Sequence, residues 1–114
     1  MKKLIVVRTQ FEGTHRYPDA PDEVAFLRYP HRHIFHVELQ IEVYHDDREL
    51  EFIIVKRDLD AYIKWMFENC IDKSCEAIAE LIRSYAHERW GEHRLVNVGV
   101  FEDGENGAWV REDL

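Results

Sequence analysis

The sequence lacks long apolar runs. A helix that crosses a bilayer needs about 20 consecutive apolar residues, and no segment of this 114-residue chain approaches that length. Residues 1–3 (MKK) are followed only by the short apolar run Leu4 to Val7 before Arg8 interrupts it. We therefore expect neither a membrane span nor a signal peptide.

Cysteine is also scarce, and Cys70 and Cys75 are the only two in the chain. In a chain that shows no export signal, the default compartment is the reducing cytosol. We therefore expect a cytoplasmic protein in which both cysteines are free thiols.

Positive charge is in deficit, because 15 lysines and arginines stand against 23 aspartates and glutamates, giving a net charge of −8. Non-specific affinity for nucleic acid comes from basic side chains that release counterions from phosphates, so we expect no nucleic-acid partner. A small anionic metabolite remains open, because basic residues lie within or beside the segments that carry the histidines: Arg8, Arg16, Arg28, Arg32 and Lys56.

Strand patterns dominate the first half of what we expect to be a single domain over residues 1–114. Residues 4–11 predict a strand that ends at Gly13, and the proline-containing stretch 14–30 predicts a long loop. Strict alternation from His31 to Val43 predicts an amphipathic strand. Leu50 to Val55 follows an acidic turn and predicts the returning strand of a hairpin.

Two helices follow in the predicted order. Asp58 is expected to cap a helix that ends near Cys70, because apolar residues between them recur at helical spacing. Ser74 is expected to cap a second helix that stops at Gly91.

Two strands close the chain. Val96 to Glu102 alternates, residues 103–107 form a turn, and Ala108 to Arg111 returns. Leaving aside the short returning strand at Leu50 to Val55, the predicted order is β-β-α-α-β-β, an α+β fold in which two helices cover one face of an antiparallel sheet.

The most specific chemical signal is a pair of histidines in one strand. His31 and His33 are two residues apart, so their imidazoles project from the same, otherwise apolar face, where an unpaired polar ring is costly. Zinc commonly takes three protein ligands and leaves a fourth position open, and His15 supplies a third imidazole. Imidazole also suits iron and nickel.

An alternative reading stays open for this pattern. Taken alone, His-X-His is more typical of solvated histidines near a strand start than of a metal site. The remaining histidines fall on the opposite strand face or at turns and helix ends, and we assign them no role: His36, His45, His87 and His93.

Several short segments, in order along the chain, match the motifs of one enzyme family. Residues 11–15 (FEGTH) and 30–37 (PHRHIFHV) are similar to its Phe-X-X-X-His and Leu-His-Gly-His-X-Tyr motifs. Further similarity to its later motifs lies in residues 48–52 (RELEF), 74–79 (SCEAIA), 98–102 (VGVFE) and 108–110 (AWV). The chain thus resembles the 6-pyruvoyl- and 6-carboxy-tetrahydropterin synthases.

This resemblance implies the tunnelling fold (T-fold), in which subunits join their sheet edges into a homo-oligomeric barrel. It implies a zinc ion held by His15, His31 and His33, and a pterin ring anchored by Glu102. A carboxylate accepts two parallel N–H bonds from the guanidine-like edge that pterins and guanines share. The alternative is that Glu102 is merely a solvated carboxylate before an Asp-Gly turn.

The sequence departs from the family where its acid–base residues stand. Leu27 occupies the position of a cysteine or glutamate, and Asp72-Lys73 that of an Asp-His pair. General acid–base catalysis contributes roughly 10²- to 10⁴-fold in rate, so the usual reaction should be crippled. Asp72, Lys73 and Cys70 are the remaining catalytic candidates.

Three functions therefore stay open at this stage. One is a lyase of the 6-pyruvoyl or 6-carboxy type that acts on dihydroneopterin triphosphate. Another is a homologue that binds a pterin or purine-type ligand without that chemistry. The third is a structural protein that zinc merely stabilises.

Overall fold

Four strands and two α-helices, in the predicted order, make up the fold. The computed structural model describes all residues from 1 to 114. The elements are β1 (Lys3–His15), a 3-10 helix (Asp22–Arg28), β2 (His31–Val43), α1 (Phe52–Met66), α2 (Cys75–Trp90), β3 (Val96–Glu102) and β4 (Gly107–Val110). The α+β class and the β-β-α-α-β-β order are confirmed.

The strands form one antiparallel sheet in the order β1-β2-β3-β4. In the pairing of β1 with β2, His15 lies directly opposite His31 and Gly13 opposite His33. In the pairing of β2 with β3, Phe35 lies opposite Glu102. The register therefore brings the ends of three strands together at one corner of the sheet.

The hydrophobic core lies between one face of the sheet and the two α-helices. Alternation along β2 places Phe35, Val37, Leu39 and Ile41 in this core, each no more than 2% exposed. Burying one such side chain contributes about 1.5–3 kcal/mol. The helices supply the facing layer: Val55, Leu59, Ile63, Ile78, Ala79, Ile82 and Ala86.

The hairpin strand predicted for Leu50 to Val55 is wrong, because α1 already begins at Phe52. Apolar residues 52–54 look like a strand in sequence, yet their side chains lie about half exposed on the outside of the helix. Val55, Leu59 and Ile63 are buried at intervals of four, which is helical spacing. The N-cap is Glu51, whose carboxylate accepts from the Ile53 amide, rather than Asp58.

The observed ends of the other elements either agree with the predicted ends or differ from them by a few residues. Strand β1 continues to His15, and α1 stops at Met66, before Cys70. The limits of α2 are confirmed: the Ser74 hydroxyl accepts from the Ala77 amide, and Gly91 ends the helix with a φ of 129°. Neither helix is both long and apolar enough to span a membrane.

Candidate metal centre

Three imidazoles converge at the sheet corner formed by β1 and β2. His15, His31 and His33 each offer one ligand atom, and these atoms all lie within 4.8 Å of one another. The ring centroids are 4.5 Å apart for His15 and His31, 5.0 Å for His31 and His33, and 5.3 Å for His15 and His33. The predicted triad could therefore hold a metal ion.

The Nδ1 atom of each ring is hydrogen-bonded to an oxygen, which fixes the orientation of the ring. The partner of His15 Nδ1 is the Lys73 carbonyl at 2.8 Å, and that of His31 Nδ1 is the Tyr29 carbonyl at 2.9 Å. The partner of His33 Nδ1 is Asp103 Oδ2, also at 2.8 Å. Because a carbonyl or carboxylate oxygen only accepts, each Nδ1 carries a proton, and Nε2 is the nitrogen of each ring that can bind a metal ion. Such outer partners are typical of histidine metal ligands.

Two of the three bare nitrogens lie where water is excluded. His15 is only 6% exposed, and the Nε2 atoms of His15 and His33 are buried without a hydrogen-bond partner. Burial lowers the pKa of His15, against the opposing effects of the Lys73 carbonyl and the Glu102 carboxylate. Leaving a buried polar atom unpaired costs roughly 1–3 kcal/mol, which a bound cation would offset.

Glu102 brings a carboxylate onto this cluster from β3. Its Oε2 lies 3.0 Å from Nε2 of His15, and its Oε1 lies 3.7 Å from Nε2 of His33. Glu102 is the last residue of β3 and pairs with Phe35, so its side chain lies on the histidine face. The sequence-predicted ring anchor is therefore part of the histidine cluster itself.

The segment between the two helices closes the cluster on the remaining side. Ile71 forms a parallel bridge to His15, and its carbonyl accepts from the Arg16 amide while its own amide donates to Thr14. This docking brings the Lys73 carbonyl within reach of the His15 ring. The positions of 71–73 thus depend on the end of β1.

A cavity of about 670 Å³ opens beside the cluster. Pockets for small molecules commonly measure about 300–1,000 Å³, so this one has room for a bicyclic ring with a side chain. Its wall includes His15, His31, Arg16, Leu27, Asp72, Lys73, Cys75 and Glu102. Leu27 presents only an alkyl group to this cavity and has no proton to transfer.

The catalytic candidates named from the sequence are placed unequally. Asp72 lines the cavity but is engaged by Arg16 at 2.7 Å, and this hydrogen bond holds the pKa of Asp72 below its usual range. Lys73 also lines the cavity, whereas Cys70 is exposed and lies outside the wall. Cys75 lies in the wall instead, and burial together with Glu102 raises its pKa to about 12.

The sequence matches no protein-family model and no curated protein. Function therefore has to be inferred from the site. A donor set of three neutral imidazoles with a carboxylate beside them is suited to a divalent metal such as zinc. The thiol of Cys75, whose pKa is raised to about 12, stays protonated near neutral pH and is a poor nucleophile.

Sequence reasoning missed the groups that orient the rings. Asp103 is predicted only as a turn residue, and the Tyr29 and Lys73 carbonyls leave no trace in the side-chain pattern. A second carboxylate directly after Glu102, at the end of a strand, is the one signal that could have indicated the role of Asp103. The carbonyl partners depend entirely on the tertiary structure.

Proposed function

We propose that this protein binds zinc through His15, His31 and His33. The observation that carries the proposal is the convergence of one ligand atom from each histidine, while the Nδ1 atom of each ring is engaged by an oxygen, which leaves Nε2 for a metal ion. Three imidazoles around one point are a common zinc-binding set. Zinc, when bound, supplies a Lewis acid that polarises an oxygen of a ligand.

Elemental analysis of purified protein tests the metal. Wild-type protein is expected to carry about one zinc per chain, and His31→Ala is expected to lose it, since two imidazoles hold the ion much more weakly. His36→Ala is the matched control, because His36 lies in the same strand but on its opposite face. Equal metal content in the wild type and His31→Ala would contradict the proposal.

We further propose a pterin or purine-type ring as the ligand of the adjacent cavity. The cavity has a suitable volume, and Glu102 at its wall offers the two oxygens that such a ring edge requires. Lys73 at the same wall suits an anionic side chain such as the triphosphate of dihydroneopterin triphosphate, and Arg16 can join it by exchanging its bond with Asp72 for the anion. The motif resemblance to the tetrahydropterin synthases supports the same ligand class.

Binding without turnover is the expected behaviour toward this ligand. Leu27 has no proton to transfer, Cys75 stays protonated, and Asp72 is engaged by Arg16. Zinc-loaded protein should therefore bind dihydroneopterin triphosphate, as measured by calorimetry, yet form no tetrahydropterin product. Product formation at rates typical of enzymes would instead make the protein a lyase of the 6-pyruvoyl or 6-carboxy type.

A second candidate function is a structural zinc site. The contact of Glu102 with His15 and His33 favours it, because a carboxylate held on the cluster is not free to anchor a ring. Zinc-loaded protein that binds neither pterin nor guanine at millimolar concentration would establish this reading. Ring binding that depends on zinc would exclude it.

We also propose a homo-oligomer in the cytosol, built as a T-fold barrel. Strands β1 and β4 are the two edges of the sheet, and open edges leave backbone groups that a neighbouring subunit can pair. Light scattering coupled to gel filtration should give a mass that is a multiple of 13.7 kDa. A monomer over the whole concentration range would contradict this part.

A further inference from the structure

We infer that Glu102 is the fourth ligand of the metal in the resting protein. A ring ligand then reaches this carboxylate only by displacing it from the metal. The inference rests on the proposed metal site and gives Glu102 a role other than a permanent ring anchor.

The first argument is the contact between Glu102 and His15. Oε2 of Glu102 lies 3.0 Å from Nε2 of His15, yet that nitrogen has no hydrogen-bond partner, so the carboxylate lies off the direction of a ring N–H. With Nδ1 of His15 donating to the Lys73 carbonyl, Nε2 of the neutral ring carries only a lone pair, which points to one side of the carboxylate oxygen, along the axis that a ring N–H would take. A bare nitrogen and a carboxylate oxygen this close repel each other, and a cation on the axis of the lone pair that both atoms bind relieves this repulsion.

The second argument is the set of distances. Ligands around a tetrahedral zinc, with bonds of about 2.0–2.1 Å, are separated by roughly 3.3 Å. Oε2 of Glu102 lies 3.0 Å from Nε2 of His15, and Oε1 lies 3.7 Å from Nε2 of His33. The first distance is slightly shorter than the ligand separation and the second slightly longer. Oε2 therefore stands about as far from His15, and Oε1 about as far from His33, as a fellow ligand would. Glu102 makes no such contact with His31, so a rotation of its side chain must bring one oxygen to the point that the three histidines share.

The third argument is the way the main chain holds Glu102. Its amide donates to the Asn106 carbonyl at 2.8 Å, and its carbonyl accepts from the Glu105 amide at 2.9 Å. The next residue, Asp103, donates its amide to Ile34 of β2 at 2.7 Å. The backbone is thus fixed, while the side chain is 30% exposed beside the cavity. Rotation of the side chain alone can move the carboxylate off the metal.

Cobalt-substituted protein provides the test, because the visible spectrum of Co²⁺ reports its ligand set. Wild type is compared with three variants: Glu102→Gln, Glu102→Asp and Glu105→Gln. Glu102→Asp keeps the negative charge but shortens the side chain. Glu105 lies in the same turn and makes no ion pair, so it is the matched control. Each spectrum is recorded alone and with sodium azide, a small ligand that enters an open coordination position. Zinc affinity is measured by chelator competition.

Glu102→Gln and Glu102→Asp should both alter the Co²⁺ spectrum, take up azide at concentrations that leave wild type unchanged, and weaken zinc roughly 10- to 100-fold. Glu105→Gln should behave as wild type. If wild type and Glu102→Gln share one spectrum and one azide response while His31→Ala loses the metal, Glu102 is not a ligand although the metal site stands. If wild type binds no metal at all, the proposed function itself fails.

Discussion

His33 donates from Nδ1 to Oδ2 of Asp103 over 2.8 Å, while the other side of its ring faces Glu102. The ring thus lies between the carboxylates of two consecutive residues. Asp103 Oδ1 also accepts from the Ile34 amide at 3.0 Å, so the aspartate is tied to the strand that carries His33. Asp103 orients the ring, and Glu102 faces the nitrogen that would bind the metal.

Asp103→Asn should weaken zinc binding by about 10- to 100-fold. Asparagine has nearly the same shape and tolerates the left-handed backbone of this position, whose φ is 56°. If its amide NH₂ faces His33 while its oxygen keeps the Ile34 bond, Nδ1 becomes the acceptor and the proton moves to Nε2. Chelator competition measures the affinity. Asp46→Asn, in the turn beyond the far end of β2, is the control, and equal affinities for wild type and Asp103→Asn would refute this role.

Zinc stabilisation should depend on pH in a definite direction. Metal and proton compete for the same imidazole nitrogens, and burial lowers the pKa of His15 from its ordinary 6.5 in metal-free protein. The rise in Tm on adding zinc should be largest above about pH 7 and should shrink as the pH falls through and below about 6.5. Metal-free protein at each pH corrects for other titrations. An effect of zinc that grows on acidification would contradict the site.

Glu112→Gln should destabilise the fold most at mildly acidic pH. His87 donates to Glu112 at 2.7 Å; burial opposes its charge, but Glu112 and the Gly91 carbonyl outweigh this and raise its pKa. Burial opposes charge on Glu112 too, yet its partners, chiefly His87, lower its pKa. The pair's contribution is lost as pH rises through the raised pKa of His87 or falls through the lowered pKa of Glu112. The stabilisation by this pair is therefore fully present between pH 4.5 and pH 6.5, which are the ordinary pKa values of glutamate and histidine.

Urea unfolding of wild type and Glu112→Gln measures this effect. The loss should be about 1–3 kcal/mol near pH 5.5 and should become smaller as the pH rises through the raised pKa of His87 and the imidazole loses its charge. Glu80→Gln removes the other carboxylate that binds Arg83 and should show no such trend. A loss for Glu112→Gln that does not change with pH would mean that the charge of His87 contributes nothing.

Ser74→Ala should lower the free energy of unfolding by about 1 kcal/mol, because it removes the side-chain cap of α2. Ser84→Ala makes the same substitution at an exposed position inside that helix. It should be neutral or stabilising by a few tenths of a kcal/mol, since alanine is the better helix former. Equal effects of the two substitutions, measured by urea unfolding, would show that the cap is unimportant.

The sequence sufficed where structure depends on neighbouring residues. The alternation from His31 to Val43 predicts β2 and its buried face, because side chains on a strand alternate regardless of what packs on them. Ser74 and Gly91 predict the limits of α2 for a similar reason, since caps act within one helical turn. Local pattern failed at residues 52–54, where exposed apolar side chains imitate a strand although tertiary packing favours a helix.

The candidate site divides in the same way. His31 and His33 are recognisable from their spacing, and His15 is predicted as the third imidazole from the preceding segment, which the motif resemblance supports. That His15 lies opposite His31, that Lys73 and Asp103 fix two rings, and that Glu102 reaches the cluster are decided only by the tertiary structure. These contacts join segments far apart in the chain, and their geometry follows from strand register and loop docking, which packing of the whole core determines.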